Sequence, residues 1–158
     1  MFRELVRKNK QLSQEECIRL LTEEKRGVLS VLGDDDYPYG MPMNHFYNPE
    51  DGNIYFHCGN VGHRLEALQK HDKVSFCVYD KGHREDGHWA YKVKSVIVFG
   101  RMEIIDDMDK IIDITTKLSY KFIQDDEYIK GEIASSGHRT LLLQLNPEHM
   151  CGKFVTES

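Results

Sequence analysis

A hairpin turn near the middle of the chain constrains its fold most. Asn48-Pro49-Glu50-Asp51-Gly52-Asn53 separates two segments rich in β-formers, Tyr39–Tyr47 and Ile54–His57. Asp-Gly and Asn favour the left-handed φ values of tight turns, so the flanking segments are predicted to pair antiparallel. Other segments share the period of two. Gly27–Leu32 runs into the turn cluster Gly33-Asp34-Asp35-Asp36-Tyr37-Pro38, and Lys73–Tyr79 alternates like a strand. Lys94–Ile105 puts Val96, Val98 and Met102 on one face and Ile97 and Phe99 on the other, with Gly100 marking a bulge. Thr140–Leu145 is the last strand candidate.

Helical spacing appears between these strands. Ser13 and Glu16 form a capping-box pattern before Cys17, Ile18, Leu20 and Leu21, with Gly27 as the expected stop. Gly62–Lys70 carries Leu65 and Leu68 on one side, and Asp109–Phe122 is a helix that Asp106 or Asp107 could cap. Six strands with two or three inserted helices favour a mainly antiparallel barrel over a doubly wound sheet. The 158 residues show no linker or repeat, so residues 1–158 are expected to form one domain.

Composition narrows the function classes. A net charge of -5 argues against a nucleic-acid partner, which needs a basic face. No apolar run approaches ~18 residues, and the start of the chain lacks the apolar core of a signal peptide. These features predict a cytoplasmic protein with no membrane partner. None of the four cysteines forms a CxxC pair, and the histidines follow no metal-ligand spacing, so no metal site is predicted.

Three stretches can carry chemistry. In Tyr55–Leu65 a strand ends, a glycine-flanked loop follows and a helix begins. First-turn amides, the Arg64 guanidinium, and Gly59 and Gly62 together form a phosphate cradle, unless the segment is an ordinary surface loop. Cys58 is either a thiol activated by that cradle or a small core residue. In Tyr37–Asn44, Pro42 implies an edge strand, either offering free backbone groups to a ring or only guarding the edge. In Tyr91–Gly100, Ser95 could donate to a phosphate, with charge from Lys92 or Lys94, or the stretch is a plain amphipathic strand. Trp89 and Tyr91 either wall a ring or pack in the core.

In this order, with the ending His149-Met150-Cys151-Gly152-Lys153, the stretches resemble the pyridoxamine 5'-phosphate oxidase-like superfamily. The resemblance runs from about Glu15 to Lys153 and is nearest to the branch related to nitroimidazole-resistance proteins. It implies a six-stranded antiparallel split β-barrel with flanking helices, dimerising around FMN. By that likeness Pro42, Met43 and Asn44 border the isoalloxazine, and His57 and Cys58 lie beside ring and ribityl chain. Gly62, His63 and Arg64 surround the phosphate, while Ser95, Val96 and Lys153 match positions near the flavin. His57 matches the substrate-side histidine of the nitroimidazole-resistance relatives and is the candidate catalytic residue. The implied function is an FMN-dependent oxidoreductase acting on a small acceptor, with nitroaromatics as one candidate class. The alternative is a non-catalytic store, sensor or chaperone for flavin or haem. The chain lacks the full basic phosphate set and the Arg-Pro-rich ending of true pyridoxamine phosphate oxidases, which argues against vitamin B6 phosphates as substrates. Cys151 stands where relatives often carry Thr or Ser.

Overall fold

The computed structural model describes residues 1–157. The chain forms α1 (Gln14–Glu23), β1 (Arg26–Leu32), β2 (Pro38–Asn44), β3 (Phe46–Tyr47), β4 (Ile54–Gly59) and α2 (His63–Lys70). It continues through β5 (Lys73–Tyr79), β6 (Tyr91–Ile105), α3 (Met108–Tyr120), α4 (Asp126–Ser136) and β7 (Thr140–Glu157). The predicted capping box holds α1, with the Ser13 side chain accepting from the Glu16 amide and the Glu16 carboxylate accepting from the Ser13 amide. The Asp107 side chain caps α3 by accepting from the Asp109 and Lys110 amides. No helix is long and apolar enough to cross a membrane.

The described residues form one antiparallel sheet of seven strands in the order β2-β1-β5-β6-β7-β4-β3. The first and last strands in that order are neighbours in sequence, separated only by His45. The sheet therefore curls until its two edges meet at one residue, and the barrel is closed by the chain rather than by a ladder. This explains the count of seven where six strands were expected. The predicted strand Tyr39–Tyr47 breaks at His45 because Asn44 pairs with Arg26 of β1, whereas Phe46 pairs with Tyr55 of β4.

Other expectations are also corrected. Gly27 does not stop α1. It lies inside β1, opposite Met43, and α1 ends at Glu23. β7 runs far beyond Leu145. Pro147 is tolerated within it because the register with β6 shifts there, from Phe99 opposite His149 to Gly100 opposite Pro147, leaving Glu148 as the extra residue. Gly100 is needed at that bulge, since any Cβ would collide with the Asn146 carbonyl. The sequence reading missed α4. It has only one fully buried residue, Ile129, and a glycine, Gly131, in its interior.

The strand period sorts side chains between two cores. Leu29, Val31, Phe56, Phe76, Val98 and Leu143 fill the barrel. On the outer surface, Tyr55 and Leu142 pack under Ile111 and Ile114 of α3. At the seam, the His45 ring is completely buried, edge-on to Phe76 at 4.9 Å between centroids. Its Nε2 lies 2.7 Å from the Leu21 carbonyl, which can only accept, so Nε2 carries the proton. Lys121 Nζ donates to the His45 carbonyl at 2.9 Å.

Burial first, and then the Lys121 charge, lower the His45 pKa from 6.5 to about 3. The unfolded chain therefore takes up this proton first. The stability contribution is complete above about pH 6.5 and is lost as pH falls toward 3. The slope is about 1.4 kcal/mol per pH unit. His45→Gln keeps a donor for Leu21 but cannot titrate. Denaturant unfolding at a series of pH values should show the variant less stable than wild type at neutral pH, with the gap shrinking steadily below about pH 6.

Candidate functional site

The candidate site forms where β4 gives way to α2. Along β4, Phe56 and Cys58 point into the barrel, while Tyr55 and His57 point outward. The strand ends at Gly59, and Gly62 caps α2 with φ 129°, a left-handed conformation that favours glycine. Having no side chain, Gly62 leaves the first-turn amides of α2 uncapped. A Cβ built on either Gly59 or Gly62 would meet nothing within 4 Å. The space above this loop is therefore not occupied by the chain's own packing.

Arg64 stands half-buried in the first turn of α2. Its Nε donates to Met41 Sδ at 3.0 Å, and it makes no ion pair among the described residues. A free guanidinium beside uncapped amides has the chemistry to hold an anion. His57 emerges into a concavity whose walls still desolvate its ring. Burial, then the neighbouring Arg64 charge, lower its pKa below 6.5, so the imidazole is neutral at neutral pH. For Cys58 burial raises the thiol pKa and outweighs the opposing pull of Arg64. The structure thus favours the core alternative for Cys58 over the activated thiol.

Strand parity divides the remaining expected site residues. Asn44 and His57 line one cavity between the ends of β2 and β4 and the helices α3 and α4. Pro42 lies on edge strand β2, as its residue type implied. Its side chain joins an outer row running Pro42, Val28, Cys77, Ile97 and Cys151 across five strands. Ser95 and Lys153 are cross-strand neighbours on that same outer face, away from Arg64 along the sheet. Met43 and Val96 point inward and are buried in the barrel core, so their side chains cannot reach a ligand outside it. His63 stacks on Tyr39 at 4.4 Å and approaches Asp34 at 3.7 Å, turning toward the β1–β2 connection.

The lysines weighed as phosphate ligands are engaged with carboxylates, Lys92 with Glu85 at 3.1 Å and Lys94 with Glu16 at 4.0 Å. Trp89 is 88% exposed and Tyr91 is also exposed, so neither packs in the core. Sequence reasoning missed the cavity-lining residues of α4, including Ile129 and Glu132. Asp125 followed by Asp126 and Glu127 was the available signal, a cap with acids in the first turn.

Residues 13–154 match the model of the pyridoxamine 5'-phosphate oxidase family. No curated protein sequence matches. Among solved structures, the fold is similar to a candidate 5-nitroimidazole antibiotic resistance protein from Bacteroides thetaiotaomicron, at 18% identity and TM-score 0.77, covering 93% of this chain and 87% of that one. It is similar to an FAD-binding protein from Mesorhizobium loti, at 22% identity and TM-score 0.66, covering 92% and 97%. It is also similar to an FAD and haem binding protein from Mycobacterium smegmatis, at 20% identity and TM-score 0.70, covering 91% and 72%. At these identities the likeness is one of fold.

Because Arg64 helps hold His57 neutral, Arg64→Ala should move the His57 pKa up toward 6.5. An NMR titration of the imidazole Cε1–H resonance measures this. An unchanged pKa would mean that the two side chains do not interact.

Proposed function

Since the chain belongs to the pyridoxamine 5'-phosphate oxidase family, we propose that it is a flavoprotein that binds FMN at the β4–α2 junction and reduces a small acceptor. The observation that carries this is the unpaired, half-buried Arg64 beside the uncapped start of α2, over a loop whose glycines face open space. In the proposal Arg64 and the amides of α2 hold the phosphate. The exposed backbone edge of β2 near Pro42 and the Asn44 side chain border the ring. Bound flavin supplies the electron transfer, and the protein supplies position and electrostatics. With its imidazole neutral, His57 can donate a hydrogen bond to an acceptor in the adjoining cavity or take up a proton there.

The same proposal includes a homodimer. The outer row through Val28, Cys77 and Ile97 leaves apolar side chains in solvent, with Ile97 37% and Phe99 38% exposed. A second copy of the sheet would cover them. It would also bring Ser95 and Lys153 of one protomer toward the Arg64 side of the other, which one chain does not do alone. Such an interface would bury upwards of ~2,000 Å².

The absorption spectrum of the purified protein is the first test. Bound flavin absorbs near ~450 nm, whereas haem gives a Soret band near ~400 nm and would replace the FMN proposal. Titrations with FMN, FAD and riboflavin then address the phosphate. Arg64→Ala should weaken FMN by about 2–4 kcal/mol and leave riboflavin nearly unchanged. Equal losses would make Arg64 a structural residue. Sedimentation at micromolar concentration should give twice the 18.4 kDa chain mass, and a monomer that still binds FMN would remove the dimer from the proposal.

A further inference from the structure

β5 and β6 are joined by residues 80–90, which form an ordered arm extending the hairpin beyond the sheet. The Asp80 carboxylate accepts from the Gly82 and Lys94 amides at 2.9 and 3.0 Å. His83 and Lys92 exchange backbone hydrogen bonds at 3.0 and 2.8 Å. Nearer the tip, the His88 amide donates to the Glu85 carbonyl at 3.0 Å, and Lys92 pairs with the Glu85 carboxylate. The Arg84 guanidinium lies 4.6 Å from the centre of the Tyr91 ring. Gly82 and Gly87 supply left-handed turns, with φ 76° and 82°.

What the arm holds out is apolar. Trp89 near its tip is almost fully exposed, and Tyr79, Tyr91 and Val155 at its base are exposed too. An ordered backbone that presents a tryptophan to water has the character of a contact hot spot. The three base residues share the outer face with Ile97 and Phe99. Tyr91 and Phe99 have the same parity on β6, Tyr79 lies opposite Ser95, and Val155 lies opposite Val93. At the Phe99 end the chain supplies its own cover, with Phe2 stacking on Phe99 at 5.5 Å and on His149 at 5.0 Å. At the other end, no described residue stacks on Trp89.

The occupant that fits is a second copy of the chain. The outer face from Tyr91 to Phe99 is four strands wide, from β1 to β7. At ~3.3 Å per residue and ~4.8 Å per strand it covers roughly 500 Å² in plan. A stable interface takes ~800 Å² or more from each partner, so the flat face falls short and the arm adds to it. Two-fold pairing sets each arm, past the end of its own sheet, against the other copy, so one contact is made twice. The arm's charges do not select an anionic surface. Lys92 is paired with Glu85, Arg84 lies on Tyr91, and Asp80 and Asp86 stand beside them.

We infer that the 80–90 arm of each protomer docks Trp89 on a second copy of the chain and closes one end of the dimer interface. This rests on the homodimer of the proposed function. Ser95 and Lys153 lie between the arm and Ile97 on the same face. A pairing that carries them toward the other protomer's Arg64 therefore carries the arm with them, as a wall of the shared site.

Trp89 is the only tryptophan of the chain, so its fluorescence reports the contact directly. Sedimentation fixes the oligomeric state of the protein as purified, and acrylamide quenching of Trp89 is measured at the same concentrations. In the dimer Trp89 should be quenched several-fold less readily than in the urea-unfolded chain. Trp89→Ala should weaken the dimer by about tenfold or more, and Trp89→Phe should recover most of that loss. Because the side chain is exposed in the single chain, both variants should keep the wild-type circular dichroism. A dimer whose Trp89 is as quenchable as in the unfolded chain would overturn the inference and leave the homodimer standing. So would a Trp89→Ala dimer of unchanged affinity. A monomer at every concentration would overturn the arm contact and the homodimer together, while the flavin reading is judged separately by absorption. Binding to anionic phospholipid vesicles that Trp89→Ala abolishes, with the dimer unaffected, would give the arm to a membrane surface instead.

Discussion

The seam at His45 is the interaction on which the rest of this structure depends. A curled sheet with two free edges must either hydrogen-bond them together or protect them. Here the chain passes from one edge to the other through a single residue, and the backbone groups at that step find partners outside the sheet. The His45 amide donates to the Lys25 carbonyl at 3.3 Å, and the carbonyl accepts from Lys121. The imidazole reaches back to the last turn of α1. One residue thus ties together α1, both sheet edges and the end of α3. The site depends on this knot, because Asn44 lies one residue before it and the cavity is roofed by the helix that Lys121 follows.

Strand parity then decides which motif residues can act. Neighbouring residues on a strand face opposite sides, so Met43 and Asn44, His57 and Cys58, or Ser95 and Val96 cannot all present side chains to one ligand. The barrel core takes Met43, Cys58 and Val96. The exposed set is left in two groups, one around Arg64 and His57 and another on the outer face around Ser95 and Lys153. The proposed second copy is the simplest way to unite them.

Electrostatics divide the first group again. Arg64 is a cation without a carboxylate partner, held partly out of water against Met41. A few residues away, the α3–α4 cavity has apolar walls and a single carboxylate. His57 lies between these environments with its ring kept neutral, free to give or take a hydrogen bond on the cavity side. Its value to any chemistry comes from that position more than from its residue type.

By itself the sequence determined the local elements: the Asp51-Gly52 hairpin, the Ser13–Glu16 capping box, an aspartate cap at Asp106 or Asp107, the Gly100 bulge and the strand-to-helix switch before Arg64. Each depends on φ preference, capping or a period of two, interactions between residues close in the chain. Only the tertiary structure decided that Tyr39–Tyr47 breaks at His45, that β7 continues past Pro147, and that α4 helps to enclose a cavity. It also set the thiol of Cys58 and the ring of His57 in their environments. Those outcomes depend on pairings between distant segments, such as Asn44 with Arg26, Phe46 with Tyr55 and Gly100 with Pro147. No residue's local preference encodes the desolvation and neighbouring charge that such pairings create.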